Sequence, residues 1–267
     1  MAFWEAILAF DIAIQAERDA LEVLAPTSLT TRVGYGKPKI THAAAFVSTN
    51  DVERVELVPS GMNDAAGIPI PCVNLYGNVN NWSLKNSKLA IDVEVPENCL
   101  ITPYATSETA ADTVVFVWAI LEYPNGGTYQ RIGGGAGMTK RNWEAGAALG
   151  SNVAANSTDI NDLLAGHKYQ VSGVSNVGIN GATAGCVGPA FIKFRNPEFF
   201  GSECWLPLIN NNAYVVGNGQ SGNNDFLAAE IKMPVVAGGT PFRTACIGYT
   251  AEQPQGQICF VVDKLFS

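Results

Sequence analysis

Histidine is scarce: among 267 residues only His42 and His167 carry an imidazole, far apart and in dissimilar contexts. A metal-dependent oxygenase or isomerase built on His-x-His, a following Glu and a third His has no such set to draw on here. The six cysteines, Cys72, Cys99, Cys186, Cys204, Cys246 and Cys259, are scattered with no C-x-x-C pair. Zinc and dithiol chemistry are therefore not expected, and free, buried thiols are. No run of Lys or Arg occurs, and the formal charge is −8. An electrostatic hold on nucleic acid, which displaces phosphate counterions with clustered cations, is not expected.

Leader and catalytic signatures are missing too. The chain opens on "MAFWEAILAF", but it has no basic stretch ahead of the apolar one, and Glu5 and Asp11 interrupt it. Neither a secretory signal nor a spanning helix of about 20 apolar residues is expected, so the chain reads as made and kept in a cell's interior. The sequons Asn81-Trp82-Ser83 and Asn156-Ser157-Thr158 then read as chance. There is no G-x-S-x-G elbow, and "GGGAGMTK" (133–140) places Thr before Lys, which breaks the phosphate-loop pattern. Asp92 with Glu94, and Glu53 with Glu56, are carboxylate pairs that any solvated strand face also shows. Trp82, Trp143 and Trp205, near Asn- and Gly-rich stretches, suit sugar stacking but more often anchor loops or interfaces.

What is present is apolar residues and turn formers. With 47% hydrophobic residues, 15% charged and 27 glycines, the chain suits a packed globular protein that buries roughly three-quarters of its unfolded surface. Phe3, Ile7, Phe10, Ile14, Leu21 and Leu24 recur at spacings of three, four and seven, which predicts an amphipathic helix over about 3–24, stopped by Pro26. Such a helix docks on its own domain or reaches a neighbouring subunit. Its acidic residues favour a protein partner over an anionic lipid surface.

From Thr30 onward, β-branched and aromatic runs alternate with Gly, Pro and Asn, which predicts an all-β body. Asn125-Gly126 between strand-like flanks marks a hairpin turn. Two stretches share P-x5-T-P-[YF]-x-T: Pro96, Thr102, Pro103, Tyr104 and Thr106, and 138 residues later Pro234, Thr240, Pro241, Phe242 and Thr244. Each is followed by a nearly unbroken apolar run, "TVVFVWAIL" or "QICFVVDKL". A weaker echo relates "YGKPKIT" (35–41) to "AGHKYQVS" (165–172). Together these predict one β-sandwich built twice: an N-terminal helical arm (1–28), a first sandwich (29–130), a Gly-rich linker (131–162) with room for a short helix in "RNWEAGAALG", and a second sandwich (163–267). A strand with one face in water should alternate, and Val114 to Leu121 does not, which implies cover on both faces, part of it from another subunit.

The repeated P-x5-T-P-[YF]-x-T, the matched strands "VVFVWAIL" and "ICFVVDKL" and the helix ahead of the first sandwich resemble the double jelly-roll major capsid proteins of tailless icosahedral viruses of bacteria and archaea. The resemblance implies two tandem jelly rolls standing upright to a shell and a homotrimer forming a pseudo-hexameric capsomer. It implies an N-terminal helix on the inner side, with Phe3, Trp4, Ile7, Phe10 and Ile14 as its contact residues. It also implies a chain made in the host cytoplasm and located in the virion capsid, with other capsid or membrane-associated virion proteins as partners. The residues themselves nominate no cofactor and no metal, and the negative charge departs from capsid proteins whose basic tails condense genomes, so no direct nucleic-acid contact is expected. A shell protein needs large self-complementary surfaces and no active site. Two other classes fit the composition: a carbohydrate-binding or adhesive tandem sandwich, and an enzyme such as a two-domain glycan hydrolase or amidase.

Overall fold

Val, Ile, Thr and the aromatics fit a pleated, half-buried surface, and the computed structural model folds the runs they form into antiparallel strands. It describes residues 4–11, 18–25, 29–47, 52–62, 73–75, 88–107, 115–124, 134–143, 158–159, 163–180, 190–198, 203–207, 223–225, 233, 235–248 and 253–263. No helix occurs among them. The chain divides into two compact units. The first comprises Phe3–Trp82 and Ser87–Gly126, and the second comprises Gly127–Ser267 with Met1–Ala2 and Ser83–Asn86.

In the first unit the strands are β1 (Trp4–Asp11), β2 (Arg18–Ala20), β3 (Glu22–Ala25), β4 (Lys39–Val47), β5 (Val52–Pro59), β6 (Val73–Leu75), β7 (Lys88–Glu94), β8 (Ile101–Ser107) and β9 (Val115–Glu122). They form two sheets, ordered β3-β1-β9-β4-β7 and β2-β8-β5-β6. The last strand, β9, lies between β1 and β4, and all of Val117 to Leu121 are at most 3% exposed. Both faces of that strand are thus covered within a single chain. The unbroken apolar run meant what it implied about burial, but its described stretch needs no second subunit as cover.

The expected N-terminal helix is not what forms. Residues 4–11 are β1, paired residue for residue with β9 from Trp4 opposite Glu122 to Asp11 opposite Val115. The segment reads at two periods: Trp4, Ala6, Leu8 and Phe10 recur every second residue as regularly as the helical stripe does. Eight consecutive pairings with a buried strand decide between them. After Ala20 pairs with Tyr104 of β8, Leu21 donates its N–H to Pro103 O at 2.9 Å and is itself buried. The chain then crosses to the other sheet, where Val23 of β3 faces Ala9 of β1.

The second unit contains β10 (Gly134–Trp143), β11 (Thr158–Asp159), β12 (Lys168–Asn180), β13 (Ala190–Arg195), β14 (Glu203–Pro207), β15 (Asn223–Asp225), β16 (Val235–Ala237), β17 (Arg243–Gly248) and β18 (Gln253–Asp263). Its sheets are ordered β10-β18-β12-β15, with β16 also on β12, and β11-β17-β13-β14. Strand for strand this is the order of the first unit, with β15 and β16 together in the place of β7 and no described counterpart of β3. The segment expected to be a Gly-rich linker supplies β10, whose Met138 and Trp143 face Phe260 and Gln255 of β18. Arg141, Asn142 and Trp143 of "RNWEAGAALG" are therefore strand, not helix; the rest of that stretch lies outside the described residues. Small residues suit a strand whose register shifts between Gly134 and Gly137.

The two units correspond at an offset that the sequence motif misses by three. Asn98 (φ 53°) and Gly239 (φ 83°) are the left-handed residues of equivalent turns, 141 apart. Val95 and Val236, three residues before them, and Ile101 and Phe242, three after, are buried. In this register Pro103 lies inside β8 whereas Pro241 precedes β17, so the five matched motif positions do not share places. The weaker echo fares better: Gly36 (φ 79°) and Gly166 (φ 86°) precede β4 and β12. Lys39 and Lys168 open those strands, opposite Glu94 and Ala237.

Rings link the two sheets of the second unit. Tyr169 of β12 meets Phe260 of β18 edge-on at 6.2 Å, Phe260 meets Phe242 at 5.5 Å, and Phe242 meets Phe194 of β13 at 5.6 Å. In the first unit Ile40 and Trp118 of one sheet and Val55, Leu57, Ile101 and Ala105 of the other are among the buried residues. Because Phe242 touches rings from both sheets, Phe242→Ala should cost about 3 to 5 kcal/mol. Urea unfolding followed by fluorescence checks this; a loss under about 1 kcal/mol would mean the rings do not join the sheets.

Candidate functional site

Among the described residues, the types that carry catalysis are dispersed. Among the described residues no group of three or more His, Cys, Asp and Glu side chains could hold a metal ion. His42 is buried in β4, its Nδ1 2.9 Å from Thr41 Oγ1. His167 closes the turn before β12, its ring 6.3 Å from that of Tyr169. Asp92 and Glu94 share a face of the edge strand β7, where both are exposed and Glu94 pairs with Lys37 at 3.6 Å. Glu53 and Glu56 are three apart in β5, so they point to opposite faces and do not form a pair. Glu56 is buried against Arg54, whose Nε lies 2.7 Å from its Oε1.

The other sequence candidates are also separated. Gly134 to Lys140 of "GGGAGMTK" are extended backbone of β10, not a loop curled around an anion, and Gly133 lies outside the described residues. Trp143 ends β10, Trp205 faces Lys193 across β14 and β13, and Trp82 lies outside the described residues. Of the five proposed contact residues, Trp4, Ile7 and Phe10 stand in β1 opposite Glu122, Ala119 and Phe116. Phe3 and Ile14 lie outside the described residues. A strand bonded along its whole length to the centre of a sheet is part of the unit's frame.

The best-defined polar constellation is a latch at one end of each unit. In the first, buried Thr31 donates its hydroxyl to Pro96 O at 2.6 Å and accepts from Cys99 N at 2.8 Å. Its N–H donates to Cys99 O at 2.9 Å, and its carbonyl accepts from Asn98 N at 3.1 Å. Gly36 N donates to Glu97 Oε1 at 2.6 Å, and Arg32 N to Tyr123 Oη at 3.1 Å. In the second unit Gly239 N donates to Leu163 O at 3.0 Å, the counterpart of the Asn98 bond, and Gly238 N to His167 O at 2.7 Å. A Cβ on Gly238 would overlap the Leu164 carbonyl oxygen and press on Tyr169. These bonds satisfy backbone groups that a partly buried turn would otherwise leave unpaired.

What the units offer outward is surface. Val33 (66% exposed) and Leu164 (65%) project from the segments leading into β4 and β12, and Leu100 (49%) precedes β8. Ile91 is 80% exposed. It lies where β7 bulges away from β4, since Val93 faces Ile40 but the next pairing is Lys88 with His42. A bulge with Lys88, Asp92 and Glu94 around it blunts an edge strand against open-ended pairing. Glu56 and Lys193, at equivalent positions of the two units, are a buried acid and a buried base. Sequence reasoning named neither the latch nor these surfaces. Thr31 and Asn98 are 67 residues apart, so only the fold makes them neighbours.

No protein-family model matches the chain, and no curated protein matches it. Among solved structures it overlaps the PBSX exported protein XepA over 97% of its own length and 86% of that chain, at 11% identity and a TM-score of 0.28. It overlaps the major capsid protein P2 from bacteriophage PM2 over 100% of both chains, at 9% identity and a TM-score of 0.27. Scores this low do not establish a common fold.

Thr31→Val keeps the shape and removes the hydroxyl, leaving Pro96 O and Cys99 N short of a partner; it should cost about 2 to 3 kcal/mol. Thr31→Ser retains both bonds and should cost less than about 1 kcal/mol. Equal losses for the two, measured by chemical denaturation, would show that the hydroxyl is not what holds the turn. Gly238→Ala should destabilise by about 1 to 3 kcal/mol through the overlap with Leu164, visible as a lower Tm.

Proposed function

We propose that the chain is a tandem pair of jelly rolls and serves as a self-assembling viral coat protein. The observation that supports this most is the strand order. With the extra strand β3 set aside, β15 and β16 taken as one, and the strands of a unit numbered along the chain, the described sheets read 1-8-3-6 and 2-7-4-5 in both units, an order that supports the interleaved Greek keys of a jelly roll. Jelly rolls serve capsids, lectins and enzymes alike, so the order alone does not choose among them. The coat reading takes its weight from the doubling, with exposed apolar side chains, Val33 and Leu164, near equivalent ends of both units.

On this reading three copies form a capsomer with six-fold pseudo-symmetry, located in the virion after synthesis in the host cytoplasm. Other virion proteins are the further partners, and the acidic charge keeps the shell from gripping nucleic acid directly. Mass measurement of the purified full chain, followed by negative-stain microscopy, tests the reading. Trimers or larger closed particles are expected. A monomer at every concentration that is retained on immobilised glycans would replace the coat with a carbohydrate-binding protein.

A further inference from the structure

Among the described residues β7 is an edge of its sheet, with β4 on one side and no strand on the other. Its register with β4 places Glu94 opposite Lys39, Val93 opposite Ile40 and Lys88 opposite His42, and leaves Leu89 to Asp92 without a register partner on β4. Ala90, Ile91 and Asp92 are exposed, and Ile91, at 80%, is the most exposed large hydrophobic side chain described. Backbone donors and acceptors on such an edge pair with water or with another strand. The first unit carries 15 acidic against 6 basic side chains, and three of the six, Lys37, Lys39 and Lys88, stand at this edge beside Asp92 and Glu94. Two copies of an acidic unit can therefore meet here without like charges facing each other.

We infer that β7 of one copy pairs antiparallel with β7 of a second copy about a two-fold axis at Ile91. In that register Ile91 faces Ile91 of the second copy, Leu89 faces Val93, and Lys88 faces Glu94, the last two pairings occurring twice by symmetry. Side chains alternate, so Leu89, Ile91 and Val93 make an apolar row across the seam on one face, while the Lys88 and Glu94 pairs flank it on the other. Moving the axis to Asp92 would oppose carboxylate to carboxylate. The bulge and charges that guard this edge against open-ended pairing thus leave room for a closed one, because an isologous pair uses up the edge and no third strand adds to it. A strand of seven residues is a small contact for a lone dimer, and it strengthens when a larger assembly holds the edges close together. The contact joins first unit to first unit, so in a shell it lies between capsomers and not within one. It stands on the edge itself, whether or not the chain is a coat protein.

Disulfide trapping in the full-length chain tests the register. Directly opposed residues of antiparallel strands have Cα atoms about 4.5 to 5.5 Å apart, within disulfide range. Ile91→Cys oxidised with copper phenanthroline should give a dimer band on a non-reducing denaturing gel. The band should exceed that of wild type, whose native cysteines set the background, and that of Glu53→Cys, an exposed position on the other sheet. Adding Lys88→Glu should slow the linking roughly tenfold, as two cross-strand attractions become repulsions. Adding Glu94→Lys to that variant should restore it. Linking no greater than for Glu53→Cys, or linking indifferent to both charge changes, would overturn the contact, and trimers or closed particles of the same chain would leave the coat reading standing. A charge-dependent linked dimer of a chain that forms no trimers would uphold the contact and count against the coat.

Discussion

Each unit is organised by a strand that arrives last and sits in the middle. β9 must find a slot between β1, at the start of the chain, and β4, and once there it is buried on both faces from Val117 to Leu121. A strand covered on two sides forfeits polar alternation, which is why "VFVWAILE" reads as a continuous apolar run. The constraint extends outward. β1 has to be a strand because β9 needs an edge partner, and the crossing of the chain at Leu21 follows because β2 belongs to the other sheet. β18 holds the same place between β10 and β12. Non-local pairing of this kind closes long loops before it is rewarded, so slow folding is expected of both units.

How much of this the sequence disclosed depended on whether a signal was local. The all-β body, the apolar last strand and the glycine ahead of β4 and β12 were legible, because turn chemistry and burial leave marks within a few residues. The N-terminal segment misled because a short apolar stretch fits periods of 2 and 3.6 together, and only pairing with β9 decides. The glycine-rich segment misled because glycine marks both linkers and shifted edge strands. The doubled Pro-Thr-Pro motif pointed to repetition, yet its positions are three out of step with the turns at Asn98 and Gly239. Proline and threonine are common at strand ends, whereas the left-handed φ is what the turn requires.

The site was less legible than the fold because, among the described residues, no reactive groups cluster. Glu53 and Glu56 point to opposite faces of β5, the two histidines belong to different units, and Trp143 and Trp205 stand on different sheets. What the fold assembles instead are latches: Thr31 around Pro96 and Cys99, and Leu163 with Gly239. Both pin the segment leading into the third strand of the repeat against the turn leading into the seventh. They stiffen one end of each unit, near where Val33, Leu100 and Leu164 project. Pinned ends on repeated units would suit the coat role proposed above.

The central claim is that the first unit buries its own last strand within a single chain, Val117 to Leu121 being covered without a second copy. Hydrogen exchange on dilute protein tests it most directly, because slow amides mark backbone that opens only with global unfolding. The account predicts that residues 115–122 and 4–11 exchange together, among the slowest in the first unit, at concentrations where only single chains are present. Protection of 115–122 that appears only when copies associate would contradict it.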